Sequence, residues 1–235
     1  PGMERGDLIR KNGPIFVEEG KAIARYGSKN VRVVVIGNPC NTNCLIARHS
    51  AGDSVPADRW TALTRLDHNR ATSLLAAKAR MRSTDIRHLA IWGNHSPTLY
   101  PDFTNATIAG QPADQIVDRG WLETEFIPSV QQRGAAVIAA RGASSAFSAA
   151  QAIVDHVNSL VTRTPGEEWF SAAVVSDGSY GVARGIVSSF PLRSNGDGGY
   201  EIVQGVKLDA FARSKIDATI AELEKERDIV QDLLG

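Results

Sequence analysis

The chain is short of several things, and each shortage narrows what it can be. Its 235 residues include only two cysteines, Cys40 and Cys44. Two are too few for a disulfide scaffold, and no second Cys/His pair stands at a zinc-site spacing, so no metal is expected. That usage fits a reducing cytoplasm. Net charge is missing too, because 26 Lys+Arg balance 26 Asp+Glu. A neutral chain offers no electrostatic case for nucleic acid or an anionic membrane as partner. No apolar run approaches the roughly 20 residues of a membrane span. Pro1-Gly2-Met3-Glu4-Arg5 does not read as a signal peptide, since no apolar stretch follows a basic start. The remaining composition, 43% hydrophobic and 22% charged, is that of a globular protein long enough to bury a large core.

The pattern along the chain is α/β. Residues 6–25 read as a helix. Val31-Arg32-Val33-Val34-Val35-Ile36-Gly37 is a β-branched run ending in glycine, which is how a buried parallel strand reads. A short helix over 42–49, a strand over 60–64 and an Ala/Leu-rich helix over 66–81 follow. Residues 1–64 thus look like βα units of a parallel sheet. Beyond them the character changes. Residues 87–92 read as a strand with 104–109 as partner. Helices are expected over 113–133 and 144–162, and strands over 169–175, 183–191 and 200–206. Arg193 to Gly199 reads as a hairpin loop. A last helix over 208–234 places Ile216, Ile220, Leu223, Val230 and Leu234 on one face, with its Glu, Lys and Arg on a solvated one.

Three polar clusters are candidates for chemistry. Asp67 and Arg70 stand three apart at the start of a helix, on one face. By itself an acid in a first turn more often serves the helix dipole. Gly93-Asn94-His95-Ser96-Pro97 places a histidine in a polar turn directly after an apolar strand, where functional side chains are often presented. His49, His68, His88 and His156 have no such setting and read as structural or surface residues. Gly37-Asn38-Pro39 follows the carboxyl end of a parallel strand, where open α/β sheets bind ligands.

Together these blocks are specific. Val35-Ile36-Gly37-Asn38-Pro39, Thr64-Arg65-Leu66-Asp67-His68-Asn69-Arg70-Ala71, Ile91-Trp92-Gly93-Asn94-His95-Ser96-Pro97 and Ser176-Asp177-Gly178-Ser179-Tyr180-Gly181 stand in the order found in malate dehydrogenases. Gly2-Met3-Glu4-Arg5 and the helix around Lys215-Ile216-Asp217 agree. The chain resembles the cytosolic-type branch of the lactate/malate dehydrogenase family over its whole length. Lactate dehydrogenases share the Asp-x-x-Arg and the histidine but differ around them.

The resemblance implies a fold and a reaction. Residues 1–64 would be the C-terminal part of a Rossmann-like NAD-binding domain, and 65–235 an α+β substrate domain. The reaction would be reversible hydride transfer between NAD and malate or oxaloacetate, a step of the tricarboxylic acid cycle, in a homodimer. His95 matches the acid/base residue and Asp67 its orienting carboxylate. Arg70 matches the arginine that grips the substrate carboxylate, Arg5 a second arginine on a mobile loop, and Asn38 a residue touching substrate and cofactor. Asn12, Glu19, Ile36 and Gly37 match positions facing the cofactor, although Glu19 stands where a glutamine is expected. Ser144 and Ser145 match the edge of the substrate pocket or serve helix packing. A complete family member is expected to carry roughly 90 further residues at the start, with the glycine-rich phosphate turn and the ribose-binding acid. Without them the segment is expected to lack dehydrogenase activity. A lactate-type 2-hydroxyacid dehydrogenase and a non-catalytic fragment are the alternatives.

Overall fold

The structure, a computed structural model, describes residues 5–234, the side chain of Arg5 excepted. Helix α1 (Arg5–Tyr26) leads to β1 (Val33–Val35), α2 (Cys40–Ala51), β2 (Trp60–Ala62) and α3 (Arg65–Ala79). These follow the order that the periodicity predicts. Glycine lets α1 and α2 meet closely: a Cβ on Gly20 would stand 2.2 Å from the Ala47 carbonyl oxygen. Short strands follow, β3 (Ile86–Arg87), β4 (Ala90–Trp92), β5 (Tyr100–Asp102), β6 (Thr107–Ile108) and β7 (Gln111–Pro112). Then come α4 (Ala113–Ile116), α5 (Arg119–Trp121), a π-helical turn over Leu122–Phe126, α6 (Ile127–Arg141) and α7 (Ala146–Val161). The chain ends with β8 (Phe170–Val175), β9 (Val187–Ser194), β10 (Tyr200–Ile202), α8 (Ala210–Ile229) and α9 (Gln231–Leu234).

The main sheet has the order β1-β2-β8-β9-β10. Only β1 and β2 run parallel, with Val33 opposite Trp60 and Val35 opposite Ala62. A parallel pair needs a crossover, and α2 supplies it. The other neighbours pair antiparallel. β8 and β9 are almost wholly buried; β8 is largely apolar, whereas β9 buries Ser188, Ser189 and Ser194 among Val187, Phe190 and Leu192. One core gathers Trp92, Tyr100, Phe103, Phe126 and Phe190. A second, with Cys40, Cys44, Trp60 and Val187, lies where α1 and α2 cover the β1 side of the sheet. Both cysteines are buried, and neither is in a disulfide. No helix among the described residues is long and apolar enough to cross a membrane.

Several elements differ from the sequence expectation. The strand over 87–92 is two strands, because His88 takes a left-handed backbone with φ 55°. β3 then pairs with β6, and β4 pairs with β5. The helix over 113–133 is interrupted at Val117, where the backbone is extended. Asp118 restarts it by accepting a bond from the Trp121 amide at 2.9 Å. The polar face of α8 is not all solvated: Glu226 is buried and Glu222 half-buried. Their donors belong to the site below.

Candidate active site

Asp67 sits in the first turn of α3, and His95 in the turn leaving β4. The fold brings them together. His95 Nδ1 donates to Asp67 Oδ2 at 2.5 Å, with 22% of the histidine side chain and 3% of the aspartate exposed. Asp67 therefore does more than favour the helix dipole. The histidine backbone is also held, its amide donating to Asn41 Oδ1 at 3.0 Å. Asn41 in turn donates to the carbonyls of Gly93 and Val187, at 3.3 and 3.0 Å. The histidine turn is thus tied to α2 and to β9.

Arg70 lies one turn after Asp67 and is half-buried. Burial pushes its guanidinium pKa down, the Asp67 charge opposes that, and Arg133 adds to it. An arginine remains charged through such shifts. Arg70 and Arg133 both line a groove of about 990 Å³ between α3, α6 and α7, shared with Gln132, Ser129, Ser148 and Phe147. The helix that carries Asp67 and Arg70 is pinned from two sides. Asn69 donates to Asp155 at 2.6 Å and Arg65 to Ser159 at 2.6 Å, both on α7. His68 bonds Ser171 at 3.0 Å, and Ser171 accepts from the Ile91 amide at 2.9 Å. Burial, aided by the charge of Arg65, lowers the His68 pKa to about 3, so its ring stays neutral.

At the carboxyl end of β1 the buried Val35 gives way to an exposed run, Ile36, Gly37 and Asn38. Asn12 donates to the Asn38 carbonyl at 2.7 Å, and Asn43 to that of Gly37 at 2.8 Å. Glu19, two turns along α1 from Asn12, is exposed. An exposed isoleucine beside a glycine, with amide side chains holding the loop, suits a flat ring with one polar edge. These residues fit a nicotinamide. Ser144 is exposed, and Ser145 precedes α7, bonding Ser148 at 2.7 Å. The side chain of Arg5 lies outside the described residues, as do Gly2, Met3 and Glu4.

Sequence models of two domains match this chain. The lactate/malate dehydrogenase NAD binding domain matches residues 1–57, and the alpha/beta C-terminal domain of the same enzymes matches residues 64–233. The chain belongs to the lactate/malate dehydrogenase family. A malate dehydrogenase of Magnetococcus marinus is 53% identical over all 235 residues, which span 71% of that protein. The crystal structure of malate dehydrogenase from Naegleria fowleri superposes with a TM-score of 0.93 at 44% identity, over 100% of this chain and 71% of that one. Lactate dehydrogenase of Trichomonas vaginalis, in complex with NADH and oxamate, superposes at 0.94 with 31% identity, over 100% and 72%.

Within this family frame, the sequence reading missed Asn41, Thr42, Glu222, Glu226 and Arg133. Asn41 and Thr42 follow the Gly37-Asn38-Pro39 turn, and that proximity was a usable signal. For the two glutamates there was none, because a Glu at a helical position reads as surface unless its donors are known.

Proposed function

We propose that this chain carries the chemistry for reversible oxidation of (S)-malate to oxaloacetate, with His95 and Asp67 as its acid/base pair. The observation that carries this reading is the 2.5 Å His95–Asp67 bond, with Arg70 on the next turn of the same helix. With Nδ1 bonded to Asp67, Nε2 is the nitrogen that takes the C2 hydroxyl proton as the carbonyl forms. It returns that proton in the reverse direction. Asp67 fixes the tautomer and stabilises the imidazolium. Ile36, Gly37 and Asn38 would hold the nicotinamide of NAD, which would supply the acceptor for the hydride from C2. Arg70 pairs with the carboxylate beside C2, because a planar guanidinium bonds two oxygens at once. Arg5 would polarise the carbonyl and close over the substrate. Asn12 supports the loop that meets the nicotinamide, and Glu19 lies further along the same helix.

Malate is favoured within the family by the Magnetococcus marinus relative, itself a malate dehydrogenase. Arg133 beside Arg70 also supports a substrate with two negative charges. The similarity to the Trichomonas vaginalis lactate dehydrogenase supports a second reading, a lactate-type 2-hydroxyacid dehydrogenase. A homodimer is part of the proposal. It is supported by the exposed apolar stripe of α7, formed by Phe147, Val154, Val157 and Val161. Two buried cysteines outside any disulfide support a cytoplasmic setting. The test compares kcat/KM for oxaloacetate and pyruvate with NADH, using the full-length protein. Oxaloacetate should be preferred by at least about a hundredfold, within the range that pairing or stranding buried polar groups produces. A preference for pyruvate would establish the second reading instead.

A further inference from the structure

Behind the histidine turn lies a buried polar cluster that no step of the reaction uses. Glu222 and Glu226 stand one turn apart on α8 and accept from the same amide. Asn94 Nδ2 lies 2.9 Å from Glu222 Oε2 and 2.8 Å from Glu226 Oε1. Glu222 also accepts from Thr98 Oγ1 at 2.6 Å and from the Ser96 hydroxyl. Glu226 accepts at its other oxygen from the hydroxyl of Thr42 on α2. Thr219, one turn earlier on α8, accepts from the Asn94 backbone amide at 2.9 Å. Residues 94, 96 and 98 are therefore gripped from α8, while His95 is gripped from α2 and α3.

A carboxylate is an expensive way to fill a buried position. Glu226 is only 3% exposed, and an apolar side chain of similar size would pack there without desolvating a charge. Among the described residues it accepts from two places, the residue before His95 and the start of α2. α2 lies within the residues matched by the NAD binding domain, and α8 within those matched by the C-terminal domain. The chain of bonds Thr42–Glu226–Asn94 thus crosses from one to the other beside the histidine. Its α2 end, Thr42, stands four residues after Asn38.

We infer that Glu226, backed by Glu222, is a positioning residue. By joining Thr42 to Asn94 it fixes the His95 imidazole relative to the cofactor-side run Ile36–Asn38. It touches neither substrate nor cofactor. The inference rests on His95 as the acid/base group, and the experiment separates the two. Glu226→Ala, Glu226→Gln, Thr42→Val and His95→Asn are made in the full-length protein. Three quantities are measured: NADH-binding stoichiometry and affinity, kcat for oxaloacetate reduction per binding site, and the isotope effect with deuterium in the transferred position of NADH. Glu226→Ala should bind NADH normally, lose at least about tenfold in kcat per site, and show a raised isotope effect, because misplacement slows the transfer step itself. Glu226→Gln should recover most of the rate. Its carbonyl can accept from Asn94, and its amide can donate to the Thr42 hydroxyl. Thr42→Val deletes one tie alone and should shift rate and isotope effect in the same direction, by less. It decides the matter where Glu226→Ala does not fold. A kcat per site within about twofold of the parent, or a loss with an unchanged isotope effect, overturns the positioning role. Near-normal turnover in His95→Asn overturns the acid/base reading on which it stands.

Discussion

At the scale of single residues, His95, Asp67 and Arg70 have three distinguishable roles in the proposed reaction. His95→Asn removes the proton carrier while leaving a polar side chain of similar width. Turnover should fall by about a hundredfold or more, the usual worth of a positioned acid/base, with NADH binding retained. Near-normal turnover removes His95 from the mechanism. Asp67→Asn removes a charge 2.5 Å from the ring. A carboxylate there favours the protonated imidazole, which is the form oxaloacetate needs. The variant should therefore bind oxaloacetate more weakly while binding malate nearly as before; equal losses would contradict the coupling. Arg70→Lys replaces a two-point grip by a point charge. KM for oxaloacetate should rise while the Kd for NADH holds, and the opposite pattern would mean that Arg70 faces the cofactor. These three residues were legible because their spacing survives in any structure: Asp67 and Arg70 share a helical face, and His95 follows a strand. Their meeting was not legible from spacing, since 28 residues separate Asp67 from His95. It came from the family resemblance.

At the scale of elements, the long periodic segments were readable and the interruptions were not. α8 follows apolar spacing that leaves little choice, and α1, α3 and α7 are long segments of helix-forming composition. The break at His88 depends on a left-handed backbone at a residue that does not announce one. The π-helical turn over Leu122–Phe126 has no sequence mark that periodicity could detect. Two element-scale predictions follow from packing. Gly93 has φ +86°, and a Cβ there would lie 2.0 to 2.7 Å from the Thr219 side chain. Gly93→Ala should cost at least about 2 kcal/mol in unfolding free energy, from backbone strain and overpacking together. A change below about 0.5 kcal/mol, the usual effect of a surface substitution, would mean that α8 does not press on the turn. His156, on α7, is wholly buried and bonded to Thr61 at 2.9 Å. Burial, with Arg65 adding to it, lowers its pKa to about 4. The folded state thus holds a neutral ring where the unfolded chain takes a proton near 6.5. Stability contributed by this group is full above pH 6.5 and is lost as pH falls through about 4. A shift of that size is worth roughly 3 kcal/mol. His156→Gln should flatten the decline in melting temperature between pH 6.5 and 4 relative to the parent. Parallel curves for the two proteins would rule out this histidine as a source of acid sensitivity.

At the scale of the whole molecule, the histidine turn is where the two family domains meet. Asn41 comes from the part matched by the NAD binding domain, and Asp67 and Glu226 from the part matched by the C-terminal domain. In the proposed reaction, proton transfer and hydride transfer would thereby be held in one frame. The exposed stripe of α7 belongs to this scale too. In the proposed dimer it is covered, so Phe147→Asp should shift the full-length protein toward monomer in light scattering at micromolar concentration. An unchanged dimer would move the interface elsewhere, and a monomeric parent would end the proposal. The central claim is that one histidine carries the proton in both directions, and its most direct test is the pH dependence of kcat/KM measured both ways. Malate oxidation needs the neutral ring, and oxaloacetate reduction needs the protonated one. Oxidation should rise with pH and reduction fall, through one shared apparent pKa, and both slopes should vanish in the residual activity of His95→Asn. Two profiles that rise together, or slopes that persist in His95→Asn, would contradict that claim.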